Sequence, residues 1–263
     1  MNPSKIKMVV TDMDGTLLNS NHQVSDRFFE LFHELSKKGI QFVAASGRQY
    51  HSIVEKLKPI KEQIYVIAEN GALVKKQEEE LLVIPLQHHL KTKLLDTIDQ
   101  IDGAHAMLCG KYSAYFDGSS TSFFDEIKEY YEKFEIHDDL SHVSDEIIKI
   151  AVYHKLSAEN YIYPELKKIE EQVKVKVSGM HWVDLNHIDA NKGFALDKLL
   201  ADTGVGKDEV MVFGDYNNDL EMMQLVEHSF AMQNAHPTIQ EAAKYQTASN
   251  DDFGVERVLE TLL

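Results

Sequence analysis

The stretch that decides the fold is Met8-Val9-Val10-Thr11-Asp12-Met13-Asp14-Gly15-Thr16, where an apolar run ends in two carboxylates and a glycine. The apolar residues predict a buried β-strand, and the glycine predicts a turn directly after it. Ligands of open parallel sheets bind at the carboxyl ends of the strands, and adjacent acids there attract a hard cation. An acidic surface turn has the same short pattern, so the motif alone decides little.

Three later segments repeat this placement of polar residues at the end of a predicted strand or the start of a predicted helix. Phe42–Ala45 leads into Ser46-Gly47-Arg48, which offers a hydroxyl group and backbone N–H groups to an anion. Lys192 opens a predicted helix with a compact positive charge. A second apolar run, Val210–Phe213, leads into Gly214-Asp215-Tyr216-Asn217-Asn218-Asp219. Together the four segments indicate one site with acids, a cation and an anion cradle.

The four segments resemble the motifs of the haloacid dehalogenase superfamily: DxDGT at residues 12–16, a serine after the second strand, a lysine, and GDxxND at residues 214–219. Ser46-Gly47-Arg48, Glu69-Asn70-Gly71-Ala72, Lys192-Gly193 and Asn234-Ala235 are similar to the Cof-type branch, which carries a type IIB cap. The resemblance covers residues 5–84 and 187–263, whereas the middle of the chain matches only in length and position. It implies an α/β fold: a Rossmann-like three-layer core with a mainly parallel sheet, and an inserted α+β cap domain.

The resemblance also implies a chemistry. It is that of a Mg²⁺-dependent phosphatase acting on small cytosolic phosphomonoesters, sugar phosphates or related metabolites. Asp12 is expected to attack phosphorus and form an aspartyl-phosphate. Asp14 is expected to act as general acid and base, because negative charge developing beside it raises its pKa. Thr16 is expected to hold Asp14 by a hydrogen bond. The expected metal ligands are Asp12, the Asp14 backbone carbonyl, Asp215 and, through water, Asp219.

The same resemblance implies a shell of groups around the phosphate. The shell consists of the backbone amides of Met13 and Gly47 and the side chains of Ser46, Lys192 and Asn218. Arg48 is expected either to reach the substrate or to form a structural ion pair. Tyr112, Tyr115 and His181 are candidates for lining a pocket in the cap.

Composition limits the classes of partner that the protein can bind. The 263 residues carry a formal net charge of −16, which argues against binding to nucleic acid or to an anionic membrane. No apolar run approaches the ~20 residues of a membrane span, and the first residues lack an apolar signal region. Cys109 is the one cysteine, which suits a reducing compartment and excludes an internal disulfide. We therefore expect a cytoplasmic protein. The resemblance implies that its partner is a small phosphate ester, and we expect a monomer or a weak homodimer.

The order of predicted elements divides the chain into a core, residues 1–84 and 187–263, and an insert, residues 85–186. The pattern of the core predicts alternating strands and helices. The first of these helices is capped by Ser25 and ends near Gly39. The insert reads as short antiparallel strands with helices near residues 122–131 and 159–169.

Other functions share part of this pattern. Within the superfamily, a phosphomutase or phosphotransferase remains open. From other classes, a non-catalytic phospho-sensing domain combines acids, a hydroxyl and a lysine but lacks DxDGT and a long insert. A nucleotide-sugar transferase uses DxD but leaves GDxxND and Lys192 unexplained. A zinc site at His88-His89, or at His181 with His187, lacks the usual ligand spacing.

Overall fold

The computed structural model describes residues 3–118, 120, 123–124 and 133–263. The chain divides into two compact units, Met1–Leu82 with Asn191–Leu263, and Val83–Ala190. The boundaries expected from the sequence, 85 and 186, lie within a few residues of these. The helix predicted near residues 122–131 lies outside the described residues except for Phe123 and Phe124, which are helical.

The first unit, which we call the core, is built from two separated segments. The first segment contains β1 (Met8–Asp12), α1 (Asp26–Lys37), β2 (Gln41–Ala45), α2 (Tyr50–Lys56), β3 (Tyr65–Ala68), β4 (Leu73–Lys76) and β5 (Glu79–Val83). The second unit, the insert, contains α3 (His88–Ile98), β6 (Ala104–Gly110), β7 (Ala114–Phe116), β8 (Phe134–Ile136), β9 (Ile147–His154), α4 (Ala158–Tyr161), α5 (Tyr163–Leu166), β10 (Lys174–Gly179) and β11 (Trp182–Asn186). The core then resumes with α6 (Lys192–Thr203), β12 (Val210–Gly214), α7 (Leu220–Leu225), β13 (His228–Ala231), α8 (Pro237–Ala242), β14 (Tyr245–Gln246) and α9 (Gly254–Leu259).

The core sheet has the order β14-β13-β12-β1-β2-β3-β4-β5 over the described residues. Strands β14 to β3 are parallel, and β4 runs antiparallel to β3. The predicted α/β core with a mainly parallel sheet is confirmed. Strand β1 is buried along its length and pairs with both β12 and β2, with Val10 opposite Val212 and Val43. This register brings the ends of the three strands that carry the motifs to one edge of the sheet.

Helix α1 shows how local sequence fixes one layer of the core. The Ser25 hydroxyl accepts a hydrogen bond from the Phe28 N–H, as an N-cap does. Phe28, Leu31, Phe32 and Leu35 are buried on one face, following the helical repeat. Gly39, with φ of +81°, lets the chain turn into β2. Both predicted ends of this helix are confirmed.

The insert has its own sheet in the order β10-β11-β9-β6-β7-β8 over the described residues. Neighbouring strands of this sheet pair antiparallel except β7 and β8, which are parallel. The predicted inserted α+β fold is confirmed. The single helix predicted at residues 159–169 is wrong in detail: α4 and α5 are separate short helices. Pro164 lies at the start of α5, where it lacks the N–H that would continue α4.

Each face of the insert sheet carries buried side chains. One face packs a cluster that includes Leu94, Leu108, Ile150 and Leu166. The other face packs Met107, Cys109, Phe116, Phe123 and Tyr153, so that Cys109 is fully buried. Among the described residues, no helix combines the length and apolarity needed to cross a membrane.

Candidate active site

Asp12 and Lys192 form the centre of the site. Asp12 is the last residue of β1 and is 4 % exposed, whereas Lys192, the first residue of α6, is fully buried. The N-cap residue Asn191 accepts a hydrogen bond from the Phe194 N–H at 2.7 Å and so fixes the start of α6. The Lys192 ammonium donates to Asp12 Oδ1 at 2.5 Å and to Asp219 Oδ1 at 2.7 Å.

Asp219 organises the loop that follows β12. Its Oδ2 accepts hydrogen bonds from the backbone N–H groups of Asp215 at 2.9 Å and Tyr216 at 3.1 Å. Both oxygens of this fully buried carboxylate are therefore used, one on the loop and one on Lys192. The loop places the Asp215 carboxylate next to the DxDGT turn.

Thr16 contacts a different acid from the one predicted. Its hydroxyl donates to Asp215 Oδ1 at 3.0 Å, so the expected bond to Asp14 is wrong. The chain turns at Gly15, which has φ of +76°, and Asp215 directly follows the neighbouring strand β12, so the Thr16 hydroxyl meets Asp215. Thr16 thereby joins the first acidic motif to the last.

Three carboxylates gather around the single Lys192 charge. Asp12, Asp215 and Asp219 each place an oxygen within 4.8 Å of the others. Burial raises the pKa of Asp12 well above its usual range, and the charges of Asp219 and Asp215 add to this while Lys192 opposes it. Burial and Asp219 raise the pKa of Asp215 to about 6. Oxygen donors with excess negative charge fit a hard divalent cation such as Mg²⁺.

The Asp14 side chain lies outside this acidic cluster and pairs with Arg48. The guanidinium donates through Nε to Asp14 Oδ2 and through Nη2 to Asp14 Oδ1, both at 2.6 Å. His22 Nδ1 lies 3.5 Å from Asp14 Oδ1. Burial alone would raise the pKa of Asp14, but the hydrogen bonds and charge of Arg48 outweigh it and lower that pKa. With Arg48 paired to it, Asp14 is therefore held ionised, and Arg48 forms the ion pair that was one of its two expected roles. The rise in the Asp14 pKa beside developing negative charge stays a prediction.

The remaining predicted phosphate-binding residues lie on adjoining loops of the core. Ser46 lies just after β2, and its hydroxyl accepts a hydrogen bond from the backbone N–H of Arg48 at 3.1 Å. Asn218 donates to the side-chain oxygen of Asn70 at 3.2 Å. A Cβ on Gly47 would lie 3.0 Å from that same oxygen, so the two loops approach closely. Met13 is fully buried, and its carbonyl accepts the Leu18 N–H at 2.8 Å.

Two asparagines belong to this site, although the sequence motifs assign them no role. Asn70 has φ of +56° and follows Glu69, which has φ of +50°. Asn234 donates to the Gly15 carbonyl at 2.8 Å and so supports the DxDGT turn. Both stand in segments that carry the resemblance, Glu69-Asn70-Gly71-Ala72 and Asn234-Ala235, and both follow predicted parallel strands, which places them at the active edge of the sheet.

The candidate pocket residues of the insert separate into two places. Tyr112 and Tyr115 line one cavity of this unit. His181 does not line it; its Nδ1 lies 3.2 Å from the His154 carbonyl and its ring lies against Tyr153. His88 and His89 are exposed at the start of α3.

Comparison with known proteins agrees with this geometry. Residues 9–259 match the haloacid dehalogenase-like hydrolase family. The chain belongs to this family. A curated relative, the 5-amino-6-(5-phospho-D-ribitylamino)uracil phosphatase YbjI of Escherichia coli, is 29 % identical over 98 % of this chain and 96 % of its own length. A putative phosphatase of Haemophilus influenzae is 30 % identical, with 97 % of both chains covered.

Solved structures of the family have the same fold. A sugar phosphatase of haloacid dehalogenase subclass IIB, BT4131, superposes with a TM-score of 0.81 over 98 % of this chain and all of its own. At 19 % identity this likeness shows the fold alone. The family match and the phosphatase relatives show that the chain is a phosphatase of the haloacid dehalogenase superfamily.

Proposed function

We propose that this phosphatase hydrolyses small phosphate monoesters through an aspartyl-phosphate on Asp12, with Mg²⁺ held by Asp12, the Asp14 backbone carbonyl, Asp215 and, through water, Asp219. One observation carries the proposal. Asp12 is a buried carboxylate at a strand end, held by Lys192 and flanked by two further acids. A carboxylate fixed in this way is suited to attack phosphorus rather than to interact with solvent.

The residues divide the reaction into two displacements. In the first, an Asp12 oxygen bonds to phosphorus as the ester P–O bond breaks, and Asp14 gives a proton to the leaving oxygen. In the second, Asp14 takes a proton from water, which attacks phosphorus and releases phosphate from Asp12. Lys192, Ser46, Asn218 and the amides of Met13 and Gly47 donate to the phosphoryl oxygens. Bound Mg²⁺ would neutralise negative charge on the phosphoryl group.

Arg48 couples substrate arrival to the state of Asp14. Paired with Arg48, Asp14 is held ionised, which is the form of a base and not of an acid. A phosphate dianion entering the site competes for the same guanidinium. When Arg48 turns to the phosphate, Asp14 loses its counter-charge beside an anion, its pKa rises, and it can carry the proton for the leaving group.

The substrate class we propose is a phosphate ester on a sugar or polyol chain. The name of the Escherichia coli relative gives it a phosphoribityl substrate, and the subclass IIB neighbour is named a sugar phosphatase. Both names describe a phosphate on a polyhydroxy carbon chain. We further propose that the insert acts as a type IIB cap that selects the leaving group, and that the protein works in the cytoplasm as a monomer or weak homodimer.

Trapping the phosphorylated enzyme tests this proposal directly. After mixing with Mg²⁺ and p-nitrophenyl phosphate, acid quenching and digestion should yield the peptide containing Asp12 with the added mass of a phosphoryl group. Asp12→Asn should lack that peptide and lose at least about 10³-fold in turnover. Asp197→Asn is the control, because it removes an exposed carboxylate paired with Lys207. This variant should still yield the phosphorylated peptide and should keep the wild-type turnover. Retention of a tenth of the activity by Asp12→Asn, with the substitution verified by mass, would rule out the covalent route.

A further inference from the structure

Asn70 joins the loop that follows β2 to the loop that follows β12. Its backbone N–H donates to the Ser46 carbonyl at 3.0 Å, and its side-chain oxygen Oδ1 accepts a hydrogen bond from Asn218 Nδ2 at 3.2 Å. A Cβ on Gly47 would lie 3.0 Å from that oxygen and 3.2 Å from Asn70 Nδ2, so the amide of Asn70 packs against the first of these loops. The proposed reaction uses Ser46, Gly47 and Asn218 and gives no part to Asn70, although Asn70 adjoins all three.

The backbone around Asn70 is held in a conformation that non-glycine residues rarely adopt. Glu69 has φ of +50°, and Asn70 has φ of +56° with ψ of +31°. The left-handed region is unfavourable for residues that have a Cβ, and asparagine tolerates it better than most. Strained backbone persists where neighbouring contacts fix it, here the bond to Ser46 and the bond from the Glu69 N–H to the Arg48 carbonyl at 3.0 Å. These contacts anchor Asn70 on the loop after β2 and present its side chain to Asn218.

The hydrogen bond to Asn70 sets the orientation of the Asn218 amide. An asparagine amide carries two N–H donors and one acceptor oxygen, and rotation about its terminal torsion is soft. Asn218 is only partly buried, so packing alone does not fix that torsion. Because Asn70 Oδ1 accepts one N–H of Asn218, the second N–H is left for a phosphoryl oxygen. Without this acceptor the amide can turn its oxygen toward the phosphate, which would repel the anion.

We propose that Asn70 is a positioning residue of the phosphate site, which fixes the Asn218 amide with its nitrogen toward the phosphoryl group. Donors that are already oriented stabilise developing charge better than donors that must rearrange. Asn70 acts through Asn218 and needs no contact of its own with the substrate. This role rests on the proposed function, in which Asn218 donates to a phosphoryl oxygen. A residue that only joined two loops would affect stability and leave phosphate binding unchanged.

Removal of the Asn70 side chain tests this role. Asn70→Gly deletes the acceptor, and glycine adopts the left-handed conformation without steric cost, so the backbone bond to Ser46 is retained. Calorimetric titration of the Mg²⁺-loaded protein with inorganic phosphate should give a Kd at least about tenfold above that of the wild type, as expected when a donor to a charged group is no longer held. The value of kcat/KM for p-nitrophenyl phosphate should fall by at least the same factor. Asn70→Ala removes the same acceptor and provides the test if Asn70→Gly does not fold.

Gln77→Gly is the matched control for the change in backbone. Gln77 has the same φ of +56° as Asn70 but lies exposed in the turn between β4 and β5. Both variants loosen the unfolded chain in the same way, so their thermal melting should shift similarly. The Kd for phosphate should stay within about twofold of the wild type in Gln77→Gly. Equal losses of phosphate affinity in the two variants would overturn the positioning role.

A double-mutant cycle with Asn218 separates positioning from a structural link. Asn218→Ala removes the donor itself, so adding Asn70→Gly to it should raise the Kd for phosphate by less than about twofold further. Losses that multiply in the double variant, or an unchanged Kd in Asn70→Gly, would overturn this role and leave the proposed function in place. A wild-type protein that binds no inorganic phosphate in the presence of Mg²⁺ would overturn the proposed phosphate shell, and this role with it.

Discussion

At the scale of single residues, Lys192 is the group on which the site depends. Its ammonium is completely buried and contacts two carboxylates, Asp12 and Asp219, at hydrogen-bond distance. Burial of a charge is expensive unless opposite charges compensate it, and here the same contact compensates the acids. Lys192 is therefore expected to stabilise the core as well as to bind phosphate.

Replacing Lys192 should reveal both roles. Lys192→Met leaves Asp12 and Asp219 buried without their counter-charge, so unfolding in urea with EDTA present should show a loss of about 3–5 kcal/mol. Lys207→Met is the matched control, because Lys207 is exposed and its ion-pair partner among the described residues is Asp197, a contact worth about 0–1 kcal/mol. Equal destabilisation of the two variants would contradict a compensating role for Lys192.

The sequence predicts which side chains reach the site better than it predicts their partners. Asp12, Asp215 and Lys192 could be placed because strand ends and a helix start fix their position in a parallel sheet. Thr16 could not be paired correctly, since its hydroxyl contacts Asp215, which is 199 residues away in the sequence. For Arg48 the sequence leaves open whether it pairs with an acid or reaches the substrate, and it does not identify Asp14 as the partner. Asn70 stands in the Glu69-Asn70-Gly71-Ala72 segment that carries the resemblance, but the sequence does not give its hydrogen bond with Asn218.

At the scale of elements, glycine turns set the distance between the first and last motifs. Gly15 adopts φ of +76° beside Asp215, and a Cβ there would lie 2.3 Å from Asp215 Oδ2. Gly39 has a similar φ of +81° at the end of α1, but a Cβ added there would meet no atom within 4 Å. The two glycines share a backbone conformation and differ only in what surrounds them.

This pair separates backbone strain from damage to the site. Gly39→Ala should cost about 1–2 kcal/mol for the left-handed conformation and leave turnover unchanged. Gly15→Ala should cost a similar amount of stability and should also displace Asp215. The Mg²⁺ concentration that gives half-maximal rate should therefore rise at least about tenfold. The measurements are thermal melting and a Mg²⁺ titration of p-nitrophenyl phosphate hydrolysis. An unchanged Mg²⁺ requirement in Gly15→Ala would mean that this contact does not position Asp215.

Long periodic elements can be predicted well from the sequence, and short ones cannot. Helix α1 and strands β1 and β12 have clear apolar patterns and clear ends. Strands β8 and β14, of three and two residues, carry too few side chains to show a period. The break between α4 and α5 falls at Ile162, two residues before Pro164, and the signal of this proline is outweighed in the sequence by the helical pattern around it.

At the scale of the whole molecule, the net negative charge of the chain makes a bound cation necessary for binding phosphate. A chain of net charge −16 repels a phosphate dianion, and Lys192 is already engaged by two acids. EDTA should therefore abolish hydrolysis of p-nitrophenyl phosphate, and added Mg²⁺ should restore it. Ca²⁺ should inhibit, because its looser and larger coordination misplaces the nucleophile relative to phosphorus. Full activity in the chelated enzyme would show that Asp215 has another role.

The division into two units predicts that chemistry and selectivity can be changed separately. The proposed catalytic residues lie in the core, and the cavity with Tyr112 and Tyr115 lies in the insert. If the insert selects the leaving group, Tyr112→Ala and Tyr115→Ala should lower kcat/KM for the best sugar or polyol phosphate about tenfold more than for p-nitrophenyl phosphate, which offers little to recognise.

His181→Ala is the matched control, since His181 belongs to the insert but lies outside that cavity, against Tyr153. This variant should change kcat/KM by the same factor for both substrates, or leave both values unchanged. A uniform loss on both substrates in the two tyrosine variants would show that these side chains support folding of the insert. Because a preference for one leaving group requires contacts that a small generic ester cannot make, only a change in the ratio of the two kcat/KM values counts for selection by the insert.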